Sequence, residues 1–430
     1  MENKQKIKVF KFGGASLKDA AAVRNVAKVL SSFSEDQLLI VISAMGKTTN
    51  ALEELVKAFY FKQGDVNLIL ERIKQFHFSI IKALFPDGKH AIYDDIHNVF
   101  IEIEWQLEDE PIGTFDFEYD QMVAVGELLS TKIVSAYLNQ NGLKNKWLDA
   151  RDLIRTDNTY RRAKVDWDTT LNQMQKKINP LVRENKFRLF ISQGFIASTS
   201  ENYNSTLGRE GSDFTAAIFA YALDAKEVII WKDVDGMFNA DPKYYKNTTK
   251  LNQISYLEAI ELSYYGASII HAKTVKPLQN KQIPLYLKSF IHPEHKGTLI
   301  SDSTLADSLI PSFIHKENQI LISVAALDFS FIAEENLSEI YALFSQFGVQ
   351  INVMQNSAIS FSVCVDQDFQ AVDELIKALQ SQYKVSYNKN LTLITIRHYT
   401  EEVIDDLISG KKLFLEQRSR NTARYVIANS

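Results

Sequence analysis

The sequence predicts an α/β protein. Its larger N-terminal part carries a largely parallel sheet flanked by helices, and a smaller α+β portion follows. Three observations carry this reading. Apolar runs such as "IKVFKF" alternate with helical stretches over the first 300 residues, and strands separated by helices demand parallel crossovers. The run "QLLIVISAMG", Gln37–Gly46, is apolar throughout, as in a strand buried on both faces. Beyond residue 301 shorter elements follow in the order βαββα.

Each element has its own local reason. Ile7–Phe12 reads as a short strand, and Asp19–Phe33 as a helix with Val23, Val26, Ala27 and Leu30 on one face. Asn50–Gln63 is again helical, and residues 65 to about 107 form a helix-rich lobe of Leu, Ile, Phe, Lys and Glu. "DQMVAVGELLSTKIVSAYLNQNG", Asp120–Gly142, reads as one long helix stopped by Asn-Gly. "KWLDARDLI", "RLFISQGFIAS" and "KEVIIWKDVDG" read as strands, with "GSDFTAAIFAYALDA" a helix between the last two. "SDSTLADSLIPSF", from Ser301, is polar and turn-prone and reads as a linker. After it come a strand "NQILISVAAL", a helix "NLSEIYALFSQFG", strands "VQINVMQNS" and "AISFSVCVD", and a helix "DFQAVDELIKALQSQ". A looser copy begins at "NLTLITIRHYTEEVIDDLISG" and continues through "KKLFLEQ" and "ARYVIA", without a final helix before "RYVIANS".

Composition excludes several classes. The 430 residues carry a net charge of -5 with no long basic run, which argues against a nucleic-acid surface. At about 100–200 residues per domain, the length suggests two to four units. Cys364 is the single cysteine, so no intrachain disulfide forms, as suits a reducing compartment. The N-terminus lacks a signal-like apolar region, and no stretch is long and apolar enough to span a membrane. A cytoplasmic location is expected.

Three glycine-bearing turns hold the candidate chemistry. In "KFGGASLKD" a strand ends at Lys11, and Gly13 and Gly14 free the backbone to present N–H groups. Ser16–Asp19 fits a capping box, which would set a helix N-terminus beside the lysine and make an anion site. A plain strand–turn–helix with a solvated lysine fits the spacing equally. "VISAMGKT" has Val41 where a Walker A glycine belongs, and no G-x-G-x-x-G occurs. In "TLGREGSDFTAA", Arg209 offers a fork for carboxylate or phosphate, while Ser212 or Asp213 could be the helix N-cap. "WKDVDGMFNADP" places acids and glycine after a buried strand, at a ligand-binding edge or as a plain pair of Asp-Gly and Asp-Pro turns.

Taken in order, "KFGGAS", "VISAMGKTTN", "VGELLST", "QGFIAS", "TLGREGSDFTAA", "KDVDGMFNADP" and "YYGASIIHAKTVKPL" resemble the aspartate kinases. The resemblance covers nearly the whole chain. It implies an amino-acid-kinase domain over residues 1–305, with the helical lobe at about 60–115, and tandem regulatory ACT domains of ferredoxin-like α+β form over 312–430. It implies transfer of the ATP γ-phosphoryl to the β-carboxylate of L-aspartate, giving 4-phospho-L-aspartate. That is the first step toward lysine (through diaminopimelate), threonine and methionine. The acceptor is already ionised, so no general base is required, and catalysis rests on positioning and charge stabilisation.

By the same resemblance Lys11 and Asp213 are catalytic, and Glu127 takes the substrate ammonium and Arg209 its α-carboxylate. Ser43, Thr49 and Ser212 complete the pocket. On sequence alone Glu127 could equally be an exposed helix residue. ATP lies along Lys11, Gly13, Gly14, Ser16, Lys232, Asp233, Phe238, Asp241, Pro242 and Lys243, with Mg²⁺ held mainly by the nucleotide. A homodimer or higher oligomer through the ACT domains is implied, without a fused homoserine dehydrogenase.

The chain departs from its relatives at several points. Ala15 replaces a threonine, Glu210 adds an acid to "GREGSD", and Lys232 stands where threonine often precedes "DVDG". Ser268 replaces a nucleotide lysine and Ala272 a proline, with Lys273, Lys232 or Lys243 as candidate substitutes. The resemblance places an effector at Asn352, Gln355, Asn356 and Ser357. Asn352 stands where lysine-sensitive members often carry an acid, so threonine, lysine or no effector all remain open. Cys364 and His271 read as packed, His271 within a buried-looking helix segment. His292 and His295 in "SFIHPEHKGT" are spaced like metal ligands, but a loop histidine pair without further ligands is usually just solvated, so no metal is expected. The competing readings are a glutamate or N-acetylglutamate kinase and a catalytically weakened amino-acid sensor.

Overall fold

The computed structural model describes residues 6–267, 270–328 and 330–428. Contacts group them into two units. One comprises Met1–Met237, Asn252–Ile260 and Ile269–Thr304, and the other Phe238–Leu251, Glu261–Ser268 and Leu305–Ser430.

The first unit is built on β1 (Lys8–Phe12), β2 (Leu38–Ile42), β3 (Asn145–Leu148), β4 (Leu189–Gln193), β5 (Val228–Lys232), β6 (Gln253–Ser255), β7 (Leu285–Ser289) and β8 (Thr298–Ser301). They form an eight-stranded sheet in the order β6-β8-β7-β5-β1-β2-β4-β3. Every neighbouring pair runs parallel except β7 with β8. All residues of β2 and β4 are buried, which is why these strands are apolar runs without alternation.

Between β1 and β4 lie α1 (Ala20–Ser31), α2 (Thr48–Phe61), α3 (Val66–Leu84), α4 (Ile92–Glu108), α5 (Phe115–Val123) and α6 (Val125–Gln140). Val23 of α1, Leu52 of α2, Ile73 of α3, Phe100 of α4, Met122 of α5 and Ile133 of α6 share one core with Phe10, Ile40 and Ile191 of the sheet. Helices Trp167–Lys177 and Asn179–Arg183 also precede β4, and α7 (Gly211–Ala222) and α8 (Ala272–Lys281) come after it.

Three local expectations are corrected. The capping box at Ser16–Asp19 does not form. Residues Gly14–Leu17 make a 3-10 turn, and Asp19 itself caps α1 by accepting from the Ala22 amide at 2.8 Å. The long helix from Asp120 is two helices, α5 and α6, meeting at Ala124. A Cβ on Gly126 would approach Ala44 Cβ and Leu52 Cδ1 to 3.1 Å, so the start of α6 is pressed against the β2–α2 loop. "RLFISQGFIAS" breaks after Gln193 and resumes at Ile196–Ser198, where Gly194 lets Ser212 approach.

The second unit carries β9 (Ser312–Ala325), β10 (Ile351–Asn356), β11 (Ser360–Asp366), β12 (Lys384–Arg397), β13 (Leu413–Arg418) and β14 (Thr422–Ala428). They form one antiparallel sheet in the order β10-β11-β9-β12-β14-β13. On one part, α9 (Glu334–Gln346) and α10 (Phe369–Gln380) bury Phe344 and Val372 against Ile320 and Val363. On the other, α11 (Glu401–Ile408) buries Ile404 against Ile396 and Tyr425. This is the layout of paired ACT-type units.

The stretch read as a linker already contributes Ser312 and Phe313 to β9. Residues Ser312–Lys316 pair with Leu393–Arg397, and Ile320–Ala325 pair with Ser360–Val365. Bulges between Lys316 and Leu321 interrupt the β9–β12 ladder, which resumes with Leu321–Ala325 against Lys384–Asn388, and a bulge bends a strand and raises its local twist. One strand therefore serves both halves.

Candidate active site

The site sits at the carboxyl edge of the first sheet. Phe12 of β1 is in register with Ile42 of β2, and Ile42 with Gln193 of β4, so these strands end together. The loops leaving that edge, with the starts of α2, α6 and α7, line a cavity of about 850 Å³. Open parallel sheets bind ligands at this edge.

Lys11 and Asp213 form the cavity's charged floor. The Lys11 side chain is 10% exposed, and its Nζ lies 2.6 Å from Asp213 Oδ1. Lys232, the last residue of β5, meets the other oxygen at 3.3 Å. Burial alone would raise the Asp213 carboxyl, but the two ammonium groups outweigh it and hold the pKa below its ordinary value.

Gly14 is a glycine by necessity, since a Cβ there would lie 2.6 Å from the Gly46 carbonyl oxygen and 2.9 Å from that of Ala44. The Gly46 amide donates to the Gly14 carbonyl at 3.1 Å, which clasps the first two loops together. A Cβ on Gly13 would lie 3.3 Å from Lys11 Nζ. Ser16 is turned inward, its Oγ buried without a hydrogen-bond partner among the described residues.

The helix end that faces the cavity is α7. Its N-cap is Glu210 in the left-handed conformation (φ 55°), and no side chain caps its amides. The N-cap role expected of Ser212 or Asp213 is therefore corrected. Both residues line the cavity instead, on the first turn of the helix. Such an end favours an anion. Burial, then Asp213, push the Glu210 carboxyl up.

Glu127 is the clearest case in which packing decides between readings. It lies in the first turn of α6 and is 2% exposed, so the exposed-helix alternative is excluded. Oε1 accepts from the Ala44 amide at 3.2 Å, while Oε2 is buried without a hydrogen-bond partner among the described residues. Burial pushes its pKa up to about 8, against the opposing pull of the Ala44 amide and Lys11.

Ser43, Thr49 and Arg209 also line the cavity, with Arg209 exposed. Around Gly208, which has φ +76°, a Cβ would meet Arg162 Cγ and Lys273 Nζ, each at 3.6 Å. Burial and then Arg162 lower the Lys273 pKa. His271 is not inside a helix, as expected from sequence. It is the half-buried N-cap of α8, accepting from the Lys273 amide at 3.1 Å.

Tyr119 and Arg161 line the cavity from outside the seven motifs, while Asn50 and Phe195 line it from within "VISAMGKTTN" and "QGFIAS". Arg161 has φ +63°, an uncommon conformation for a side-chain-bearing residue. Asp120 holds it there, accepting from the Arg161 amide at 2.9 Å and from the Thr206 amide and hydroxyl at 2.8 and 2.7 Å. Positive φ and this long-range clamp are tertiary features, so a linear motif search passes over them.

The remaining nucleotide candidates divide between the units. Asp233 follows Lys232 and is exposed. Phe238, Asp241, Pro242 and Lys243 belong to the second unit, where Asp241 accepts from the Lys243 amide at 2.8 Å in a local turn. Lys243 Nζ bonds Tyr244 and approaches Glu317. Ser268 lies outside the described residues.

At the effector candidates, Asn352 accepts from Lys316 Nζ at 2.9 Å and donates to Gln319 and Asp366 at 2.9 and 3.0 Å. Gln355 and Asn356 are exposed on β10, and Ser357 bonds Ser360 across the following turn. Cys364 is packed as expected, its thiol pushed up to about 12 by burial.

The sequence pattern of the amino acid kinase family matches residues 6–289. The chain belongs to the amino acid kinase family.

Among individual relatives of this amino acid kinase, the lysine-sensitive aspartokinase 3 of Escherichia coli is 28% identical over 91% of the chain and 86% of its own length. A bifunctional aspartokinase/homoserine dehydrogenase 2 of Arabidopsis thaliana is 29% identical over 87% of the chain, which spans 42% of that longer protein. E. coli aspartokinase III in complex with aspartate and ADP superposes with a TM-score of 0.83 at 24% identity, covering 98% of this chain and 96% of its own. The same enzyme in complex with lysine and aspartate gives 0.81 at 25% identity, with the same coverage. These likenesses span both units of the fold. Among the described residues, no helix is long and apolar enough to cross a membrane.

Proposed function

We propose that this protein is an aspartate kinase, moving the γ-phosphoryl of ATP to the β-carboxylate of L-aspartate. One observation carries the reading. A single cavity holds a buried carboxylate with an unpartnered oxygen (Glu127), a guanidinium (Arg209) and a lysine–aspartate pair (Lys11 and Asp213). Aspartate needs an anion for its ammonium, a cation for its α-carboxylate, and a clear path from its β-carboxylate to a phosphoryl group.

In this mechanism Glu127 accepts the ammonium and Arg209 pairs with the α-carboxylate. Ser43, Thr49 and Ser212 orient the acceptor, and its β-carboxylate attacks without losing a proton. Charge spreading over the transferred phosphoryl is met by Lys11, with the amides of Gly13 and Gly14 and the uncapped start of α7. Asp213 positions Lys11 and Lys232 toward that charge. Lys232 offers a second ammonium on the nucleotide side, with Asp233 and the Phe238–Lys243 segment, and Lys273 is a further candidate there. Because Asp213 is committed to two lysines, Mg²⁺ would be held mainly by the nucleotide, where it supplies charge neutralisation.

The second unit is proposed to bind an amino-acid effector around Asn352, Gln355, Asn356 and Ser357. The relative crystallised with lysine makes lysine the first ligand to try, and threonine the second. Self-association through the second unit completes the proposal.

The test follows ADP release and traps the acyl phosphate with hydroxylamine, offering aspartate or glutamate. Trapped product from aspartate alone is expected. Turnover of glutamate instead, or of neither acceptor, would overturn the assignment.

A further inference from the structure

The turn after β7 carries metal-binding groups that the kinase reaction does not use. His292, Pro293, Glu294 and His295 close a tight turn in which the His295 amide donates to the His292 carbonyl at 3.0 Å. Proline at the second position presets such a turn. The two imidazoles stack, with centroids 5.0 Å apart and planes 23° from parallel. Glu294 Oε1 lies 3.9 Å from His292 Nδ1 and 3.8 Å from His295 Nε2. One donor atom from each of the three residues falls within 4.8 Å of the others.

A fourth group arrives from the turn after β5. Asp235 Oδ1 is 3.3 Å from His295 Nδ1, and that oxygen is buried with no hydrogen-bond partner among the described residues. His295 therefore turns one nitrogen to Asp235 and the other to Glu294. An outer carboxylate on the far nitrogen is the usual way to fix the tautomer and direction of a metal-binding imidazole.

The frame around these groups is tightly packed. Ser289 Oγ accepts from the amides of Ile291 and His292, both at 3.2 Å. The Phe290 amide donates to the Lys232 carbonyl at 2.9 Å, and Asn25 donates to the Phe290 carbonyl at 2.7 Å. A Cβ on Gly236 would lie 2.6 Å from Thr298 Oγ1, and one on Gly297 would lie 2.1 Å from the Leu287 carbonyl. The two turns thus approach at glycine-only distances, which places Asp235 against His295.

We propose that His292, Glu294 and His295, with Asp235 behind His295, form a binding site for a zinc-like divalent ion. Two imidazoles with carboxylate suit Zn²⁺, Co²⁺ or Ni²⁺, whereas Mg²⁺ and Ca²⁺ prefer oxygen alone. The site joins the turn following Lys232 to the turn following β7, so an occupied site stiffens the strand end that carries Lys232. The ligands are exposed, so the site is expected to be exchangeable, with micromolar affinity.

The test uses the full chain, stripped with chelator and free of nucleotide, titrated with Co²⁺ and then Zn²⁺. One equivalent of Co²⁺ with a visible absorption band is expected, displaced by one equivalent of Zn²⁺. The His292→Ala and His295→Ala exchanges each abolish the band, and Asp235→Asn weakens binding by about 10–100-fold. Thermal melts of the stripped variants should match the parent, since the three ligands are at the surface. Absence of stoichiometric uptake, uptake only at millimolar metal, or uptake unchanged in the double histidine variant would each overturn the proposal. None of these readouts depends on which acceptor the kinase uses.

Discussion

In the first unit, Glu127 keeps Oε2 in the core without a hydrogen-bond partner, and Asp213 is held by two lysines at the floor of a cavity. In the second, Asn352 uses both ends of its amide on Lys316, Gln319 and Asp366. Leaving a buried polar atom unpaired costs about 1–3 kcal/mol. The cavity carries that cost at the position proposed to meet an ammonium. Asn352 instead has its amide already bonded, so an effector at that residue must exchange existing hydrogen bonds rather than fill an unmet one. The contrast lies between two residues: Glu127 presents an unmet oxygen to the cavity, whereas Asn352 is already bonded to three side chains.

The largest expected break in this contrast comes from Lys11→Ala. Removing the cation aimed at the transferred phosphoryl should lower kcat by about 10²–10³-fold or more, and Asp213 keeps Lys232 as partner, so the fold should survive. Near-normal turnover in a folded variant would sink the mechanism. Arg209→Ala is expected to act on aspartate rather than on ATP. Loss of a charge-assisted contact worth about 1.5–3 kcal/mol should raise KM for aspartate by roughly 10–100-fold, and an equal rise for ATP would assign Arg209 elsewhere.

Glu127 gives the contrast a pH signature. Its carboxyl must be ionised to take an ammonium, so kcat/KM for aspartate should rise with pH to a plateau above about 8, the value to which burial pushes it. Glu127→Gln should remove that rise. The stability effect has the opposite sense. The folded protein holds this proton more tightly than the unfolded chain, so the group's contribution is present below the ordinary carboxylate range. It is lost as pH climbs through about 8. Denaturant midpoints of parent and Glu127→Gln across that range would measure it.

Gly14→Ala tests the clasp beneath the site. The new methyl would press on the Gly46 and Ala44 carbonyls, so a loss of about 1–3 kcal/mol is expected, read from denaturant unfolding. The smallest effect on catalysis belongs to Asn352→Asp. It should alter inhibition by lysine or threonine while leaving uninhibited turnover little changed, since Asn352 belongs to the second unit and does not line the cavity that holds Lys11, Glu127 and Asp213. Loss of uninhibited activity without loss of stability would count against an effector role.

The seven ordered motifs and the alternation of strand and helix were legible in the sequence because they are local. Strand burial is written in apolar runs, and a two-glycine turn marks itself by composition. The order of strands in either sheet has no such local record, and neither does β9, which pairs with both β11 and β12 in the middle of its sheet. The sequence placed a helix cap at Ser16, but the backbone spends those residues on a 3-10 turn and caps with Asp19. It left Glu127 undecided, because nothing in "VGELLST" says which helix face is buried. It also set His292 and His295 aside, because Asp235 lies 60 residues away along the chain. What the sequence determined alone was the type of each element and the family's motifs. Tertiary structure decided which charges are buried, which are paired and which meet across turns, because burial and through-space distance arise only when separate segments pack together.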